Sequence, residues 1–269
     1  MSEADRFALV PTRHGALALR DAQAGEVMHP GLGPAAEADA LYLRGSELAA
    51  RLARADPAPL VLFDVGLGAG SNAARAMALH ASLAAPRALE LVSFEHDLAA
   101  FAYALAHPEA FAAPPGAQEL LAQGVCRAPG VTWELRAGDA LESLEALARE
   151  PRRAEVIFWD PFSQVANPGL WTVAAFAAAR AATGPDAVLV TYSSSTTART
   201  ALLLAGWFVG EGPVLEAGRR TTVAATSRGT IGEPLKAAWL GRRARSTAPW
   251  PADAGADADA RLRAHPQFA

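Results

Sequence analysis

Asp64, Glu95, Asp139 and Asp160 each close a short apolar run, and a Gly-rich turn follows the first of them. Residues 60–74, LVLFDVGLGAGSNAA, pass from a buried-strand pattern through Asp64 into Gly66, Gly68 and Gly70, then into small residues, Asn72 among them, that open a helix. A Gly turn at such a junction lets backbone approach a ligand closely and aims the helix's unpaired N–H groups at it, although glycines also serve ordinary strand-to-helix turns. The spacing is G-x-G-x-G, unlike the G-x-G-x-x-G of dinucleotide sites, and no Lys-Ser/Thr pair follows to cradle phosphates. The pattern points to an adenosine-bearing cofactor without a pyrophosphate. S-adenosylmethionine fits, with Asp64, Gly66, Gly68, Gly70 and Asn72 on its side of the site.

Glu95 ends the run 89–94 and falls about twenty to thirty residues beyond the turn, where an acid in an open α/β sheet takes both ribose hydroxyls. Asp139 follows the run 131–135 and Gly138, and reads equally as a cofactor contact or a helix N-cap. Asp160 closes the run 155–159 and begins Asp160-Pro161-Phe162-Ser163, where a fourth strand delivers side chains toward a transferable methyl group. These residues resemble, with one Pro fewer, the D-P-P-F/Y signature of amine and amide methyltransferases. There the acid or amide and the following carbonyl accept hydrogen bonds from the target nitrogen. Positioning and desolvation dominate such a displacement, and a carboxylate can also take the proton of an ammonium, which must be neutral to attack.

Positioning these residues requires an alternating scaffold. The pattern predicts strands at 60–65, 89–94, 131–136, 154–159 and 187–192, separated by helices at 70–83, 97–106, 140–149, 171–182 and 196–205. Closing strands follow near 207–210 and 220–226. Strands joined through helices form right-handed crossovers and a parallel sheet covered on both faces; the last two strands are too close for a helix between them, so the final one is antiparallel. The expected fold is a doubly wound, mostly parallel, seven-stranded α/β sheet of the Rossmann-like, class I methyltransferase kind, over residues 58–228. Residues 1–57 read as an accessory segment with a hairpin around His14-Gly15, a Gly/Pro-rich loop and an amphipathic helix at 36–54. Residues 108–129 read as a loop or short helix, and 229–269 as a polar, partly mobile tail.

The composition excludes several classes. The 269 residues are 51% hydrophobic with mean hydropathy +0.12, enough for one large core. No apolar run reaches the roughly twenty residues needed to span a bilayer, and the acidic N-terminus is unlike a signal peptide, so a cytoplasmic location without membrane contact is expected. The single Cys126 excludes an internal disulfide framework and a Cys-based metal site. The six histidines, His14, His29, His80, His96, His107 and His265, show no metal-ligand spacing, so no metal is expected; His96 reads as a surface residue at a helix start. A net charge of −4 argues against a wholly nucleic-acid-binding surface, leaving the pairs Arg219-Arg220 and Arg242-Arg243, with Arg245, as phosphate contacts or a solvated basic face.

Longer segments carry a closer resemblance: FWDPFSQVANPGLWT, VLVTYSSSTTARTALLLAGW and PLKAAWLGRRARSTAPWP, with GEVMHPGLGPAAEADALYLRGSEL near the N-terminus and its acid Glu37. Together they resemble the methyltransferase domain of the bifunctional tRNA 5-methylaminomethyl-2-thiouridine biosynthesis proteins and its stand-alone relatives. The resemblance implies methyl transfer from S-adenosylmethionine to the aminomethyl nitrogen of a modified wobble uridine in tRNA. It places Asp160 and Phe162 at the chemistry, Glu95 on the ribose, Asp139 on the adenine amino group, and Asn167, Trp171 and Tyr192 on the substrate side, where Phe162 and Trp171 also read as packing residues. Any oxidase or other modification enzyme is then supplied separately. Pro161, Gln164 and the segment 217–222 depart from the family pattern and bear on the substrate. Three readings stand: this tRNA-modifying N-methyltransferase, a methyl or aminopropyl transferase acting on a small-molecule amine, and a non-catalytic cofactor binder.

Overall fold

The computed structural model describes residues 3–215, 218 and 220–269. Its centre is an eight-stranded sheet built on β4 (Leu60–Val65), β5 (Leu89–Glu95), β7 (Val131–Ala137), β8 (Ala154–Trp159) and β9 (Thr183–Thr191), all parallel, in the order β9-β8-β4-β5-β7. Every residue of β4 is buried. Alternate side chains serve opposite layers, with Val61, Phe63 and Val65 in one apolar cluster and Leu60 and Leu62 in the other. That is the signature of a strand covered on both faces. Helices α4 (Ser71–Ser82), α5 (Ala99–Leu105), α7 (Ala140–Leu147), α8 (Val173–Ala181) and α9 (Thr196–Leu204) make the connections.

The sheet closes with β10 (Phe208–Val214) and β11 (Arg220–Ala225), and β11 lies antiparallel between β9 and β10. The expected count of seven strands becomes eight because the 108–129 insert is not a simple loop. It contributes α6 (Ala117–Gln123) and β6 (Val125–Ala128), which pairs antiparallel with the edge strand β7 and buries Leu120 and Cys126.

The N-terminal segment starts with α1 (Glu3–Arg6) and forms a separate three-stranded sheet, β1 (Phe7–Pro11), β2 (Leu17–Asp21) and β3 (Glu26–Val27), with the expected turn around Gly15. The single helix expected at 36–54 is broken into α2 (Pro34–Glu37), a π-helical stretch Ala38–Leu43, and α3 (Leu48–Leu52). The break falls at Ser46-Glu47, where Glu47 is left-handed at φ +54°; Gly45 just before it packs its backbone against the sheet, where a Cβ would meet Val190 Cγ1 at 3.0 Å and Pro213 at 3.3 Å.

Residues 229–269, expected as a polar tail, also fold back on the core. They carry α10 (Ala238–Arg245) and α11 (Ala258–Arg263) and bury Leu235, Trp239 and Leu262. Sparse apolar anchors, together with the buried Gln267 amide, dock this segment.

Candidate active site

The carboxyl ends of β4, β5, β7 and β8 open into a cleft of about 1000 Å³, and the N-terminal segment forms its opposite wall. Ligands in open α/β sheets collect at this edge. From the sheet side the wall includes the Gly66–Asn72 turn, Glu95, Asp139 and the loop from Asp160; from the opposite side it includes Glu26, Met28, His29, Glu37 and Tyr42.

The Gly turn is shaped by what it must avoid. Gly66 has φ +91°, and a Cβ there would lie 2.6 Å from the Asp160 carbonyl oxygen, so the turn and the Asp160 loop touch backbone to backbone. A Cβ on Gly70 would lie 2.6 Å from the Phe101 ring; this glycine packs against α5 and is not on the cleft wall. Gly68 presents its N–H to Glu95 Oε2 at 3.0 Å, while Glu95 Oε1 accepts from Asp97 N at 3.1 Å. Burial raises the Glu95 pKa against these hydrogen bonds.

Asp139 caps α7, its Oδ1 accepting from Leu141 N at 2.7 Å and Glu142 N at 3.2 Å, and it also lines the cleft. The two readings of this acid are geometrically compatible. Asp64 differs from expectation: it lies wholly buried beneath the turn, off the cleft wall. Its Oδ2 accepts from Ser93 Oγ at 2.9 Å, and that oxygen accepts from Trp133 Nε1 at 2.9 Å. Its Oδ1 has no hydrogen-bond partner among the described residues. Burial pushes the Asp64 carboxyl up to about 8.

Asp160 sits at the cleft floor. Its N–H donates to Val65 O at 2.8 Å, extending the β4–β8 ladder by one step, and its Oδ2 accepts from Asn72 Nδ2 at 2.7 Å. His29 Nε2 stands 3.6 Å from the same oxygen. The Tyr42 hydroxyl lies beside this carboxylate but outside hydrogen-bond geometry. Burial, the largest influence, raises the Asp160 pKa; His29, Tyr42 and Asn72 oppose it.

The loop after Asp160 is fixed through its carbonyls. Tyr192 OH donates to Pro161 O at 3.0 Å, and Trp171 Nε1 donates to Phe162 O at 2.8 Å, while the Trp171 and Tyr192 rings meet edge to face at 5.7 Å. Glu26 accepts from both the backbone N–H and the hydroxyl of Ser163. Two expectations change. The carbonyls after Asp160 accept from side chains that hold the loop, and Trp171, only 3% exposed, supports the loop from behind. Phe162, Asn167 and Tyr192 line the cleft.

Glu26, His29 and Tyr42 also line the cleft, and no residue spacing in the sequence marks them. Their one signal was the Gly/Pro-rich stretch that brings β3 and the following loop over the sheet edge. The basic residues Arg242, Arg243 and Arg245 lie off the cleft, Arg243 stacking on Trp250 and Arg220 pairing with Glu233 at 2.7 Å. Arg219 lies outside the described residues. Among the described residues no group of three or more His, Cys, Asp or Glu is placed to hold a metal ion, and no helix is long and apolar enough to cross a membrane.

Residues 109–227 match the model of a family described as S-adenosyl-L-methionine-dependent methyltransferase. The chain is 34% identical over 188 residues to the tRNA 5-methylaminomethyl-2-thiouridine biosynthesis bifunctional protein MnmC of Stutzerimonas stutzeri (strain A1501), covering 64% of this chain and 28% of that protein. Identity to the MnmC of Pseudomonas entomophila (strain L48) is 29% over 228 residues, covering 78% of this chain and 32% of that protein. The chain thus spans about a third or less of the length of these curated relatives. Among solved structures, MnmC2 from Aquifex aeolicus superposes with a TM-score of 0.73 at 24% identity, covering 91% of this chain and 77% of that one. Spermidine synthase from Thermotoga maritima shares the fold at a TM-score of 0.51 and 14% identity, covering 84% of this chain and 70% of that one.

Proposed function

We propose that this chain, an S-adenosylmethionine-dependent methyltransferase related to the methyltransferase part of MnmC, methylates the aminomethyl nitrogen of a modified wobble uridine in tRNA. The cleft suits the cofactor. Gly66 and Gly68 leave backbone bare on its wall, and Glu95 and Asp139 line it at the ends of neighbouring strands. Gly66, Gly68 and Asn72 would border the cofactor, Glu95 would take the ribose hydroxyls and Asp139 the adenine amino group. Gly70 and Asp64 would support the turn from behind. When bound, the cofactor supplies an electrophilic methyl group on a positively charged sulfur.

This chain's own residues prepare the nucleophile. An aminomethyl group arrives as an ammonium without a free electron pair. Asp160 takes one proton, so that an N–H bond breaks, an O–H bond forms on the carboxyl group, and the released pair stays on nitrogen. Asn72 holds the receiving oxygen, while Tyr192 and Trp171 hold the adjoining loop so that the nitrogen arrives in one orientation. Phe162 contributes apolar surface that excludes water. Carboxylates at Glu26, Glu37, Glu95 and Asp160 surround the space and favour cationic reactants.

The observation that carries this reading is the buried Asp160 carboxylate, tethered to Asn72 and in backbone contact with the Gly66 turn. Its test is calorimetric titration with S-adenosylmethionine, followed by labelled-methyl transfer to tRNA bearing the aminomethyl uridine. Asp160→Ala is expected to slow transfer by about 10²–10⁴-fold, the usual span for a lost acid–base group, with cofactor affinity within about threefold of wild type. Cofactor binding with no labelling of such tRNA overturns the tRNA assignment, and turnover on free polyamines without tRNA replaces it with a small-amine substrate.

A further inference from the structure

We infer that His29 stands behind Asp160 as the acceptor of its proton, so that Glu37, His29 and Asp160 form a line that carries the amine's proton away from the reacting nitrogen. The inference rests on Asp160 taking that proton, as proposed above.

The geometry of the line is specific. His29 Nδ1 lies 3.2 Å from Glu37 Oε2, and Glu37 Oε1 accepts from Gly31 N at 3.0 Å and Leu32 N at 3.1 Å. An ionised carboxylate only accepts, so Nδ1 carries the proton in this contact and Nε2 is turned toward Asp160 Oδ2 at 3.6 Å. His29 adopts φ +54°, a left-handed conformation that costs a non-glycine residue on the order of 1 kcal/mol. The Glu37 carboxylate, bound to the ring and to two backbone groups of the same loop, holds it there. An imidazole that is largely buried between two carboxylates, with one nitrogen fixed and the other facing Asp160, has the arrangement of a base and its orienting acid.

The proton balance closes within these groups. After the amine N–H has broken and the Asp160 O–H has formed, that O–H breaks and an Nε2–H forms. The resulting imidazolium lies between Asp160 and Glu37, and the regenerated Asp160 carboxylate stays beside the product ammonium. The titratable groups acting on His29 are Asp160, Glu37 and Asp64, with the Tyr42 hydroxyl beside Asp160. Burial lowers the His29 pKa, but the carboxylates outweigh it and the net direction is upward, so the accepting species is the neutral ring, whose share grows as pH rises. His29 acts through Asp160 and is therefore a positioning and relay residue.

Two measurements on the full chain test this. In an NMR titration of the histidine ring nitrogens without cofactor or substrate, His29 is expected to titrate above the ordinary histidine value of about 6.5, its neutral form the Nδ1–H tautomer, and to move down toward that value in Asp160→Asn. Ordinary titration that ignores Asp160→Asn overturns the inference. In single-turnover methyl transfer against pH, His29→Asn is expected to lose about 10²-fold at neutral pH, with the deficit shrinking as rising pH neutralises the amine directly. Asn tolerates the left-handed backbone, so the loop is kept. A deficit equal at every pH, or none, also overturns it. If wild type transfers no methyl to such tRNA, the substrate assignment fails, and the ring titration alone decides the relay.

Discussion

Asp64 is a carboxyl group with one oxygen bonded to Ser93, the other without a partner among the described residues, and no route to solvent. Ionising it in place means charging a site whose surroundings, Asp160 and Glu95 included, disfavour a negative charge. The folded protein holds this proton to about pH 8, whereas the unfolded chain releases it near 3.8. Its stabilising contribution is therefore fully present below pH 3.8 and is lost as pH rises to about 8. Asp64→Asn removes the penalty while keeping an acceptor for Ser93. Thermal melts of the cofactor-free protein should show little change at pH 4 and a gain on the order of 1–3 kcal/mol at pH 8, a few degrees in Tm; an equal effect at both pH values would sink the idea. At this scale the sequence was legible where residue type and spacing mark the cleft wall: the turn at Gly66 and Gly68, Glu95 and Asp160. His29 and Tyr42 left no such trace, because what matters in them is proximity to Asp160 across more than a hundred residues of chain. Trp171 showed its identity but not its orientation, so its supporting position could not be told from substrate contact.

Strands and helices of the sheet were legible from periodicity, since both-face burial of β4 and β8 leaves continuous apolar runs. The misread elements share one cause, that tertiary contacts decided where weak local patterns did not. The helix expected at 36–54 breaks at left-handed Glu47, just after Gly45 packs against Val190 and Pro213, and β6 becomes a strand by pairing with the exposed edge of β7. The C-terminal segment is the clearest case. Gln267, 4% exposed, accepts from Val209 N at 2.6 Å and donates to Val209 O at 2.7 Å and Leu235 O at 2.9 Å, completing the edge of β10 with a side chain. Gln267→Ala leaves buried backbone groups without partners, and urea denaturation should register a loss of about 2–3 kcal/mol. A loss under about 0.5 kcal/mol would mean that water replaces the amide and that this segment is bound only by Trp239 and Leu262.

For the molecule as a whole, the cleft exists only because the N-terminal sheet is held over the strand ends. Apolar packing supplies part of the attachment, with Phe7 and Leu19 against Ala69, Ala100 and Ala104. Polar ties complete it at successive strands: Arg6 donates to Asp97 just after β5, Glu26 holds Ser163 just after β8, and His29 approaches Asp160. The Arg6 tie is the most informative because Asp97 also donates its backbone N–H to Glu95, the acid proposed to take the ribose hydroxyls. Asp97→Asn isolates this tie. It keeps an acceptor for Ala99 N at the start of α5 and leaves Arg6 paired with buried Asp21 at 2.8 Å. A partly exposed ion pair is worth roughly 0–1 kcal/mol, so global stability should change by less than about 1 kcal/mol. If closure of the N-terminal wall is coupled to cofactor binding, most of that energy is spent on the bound state. The calorimetric Kd for S-adenosylmethionine should then rise about threefold to fivefold, with the effect fading as salt screens the wild-type pair. An unchanged Kd with an unchanged melt would assign the closure to apolar packing and would make the wall a fixed part of the fold.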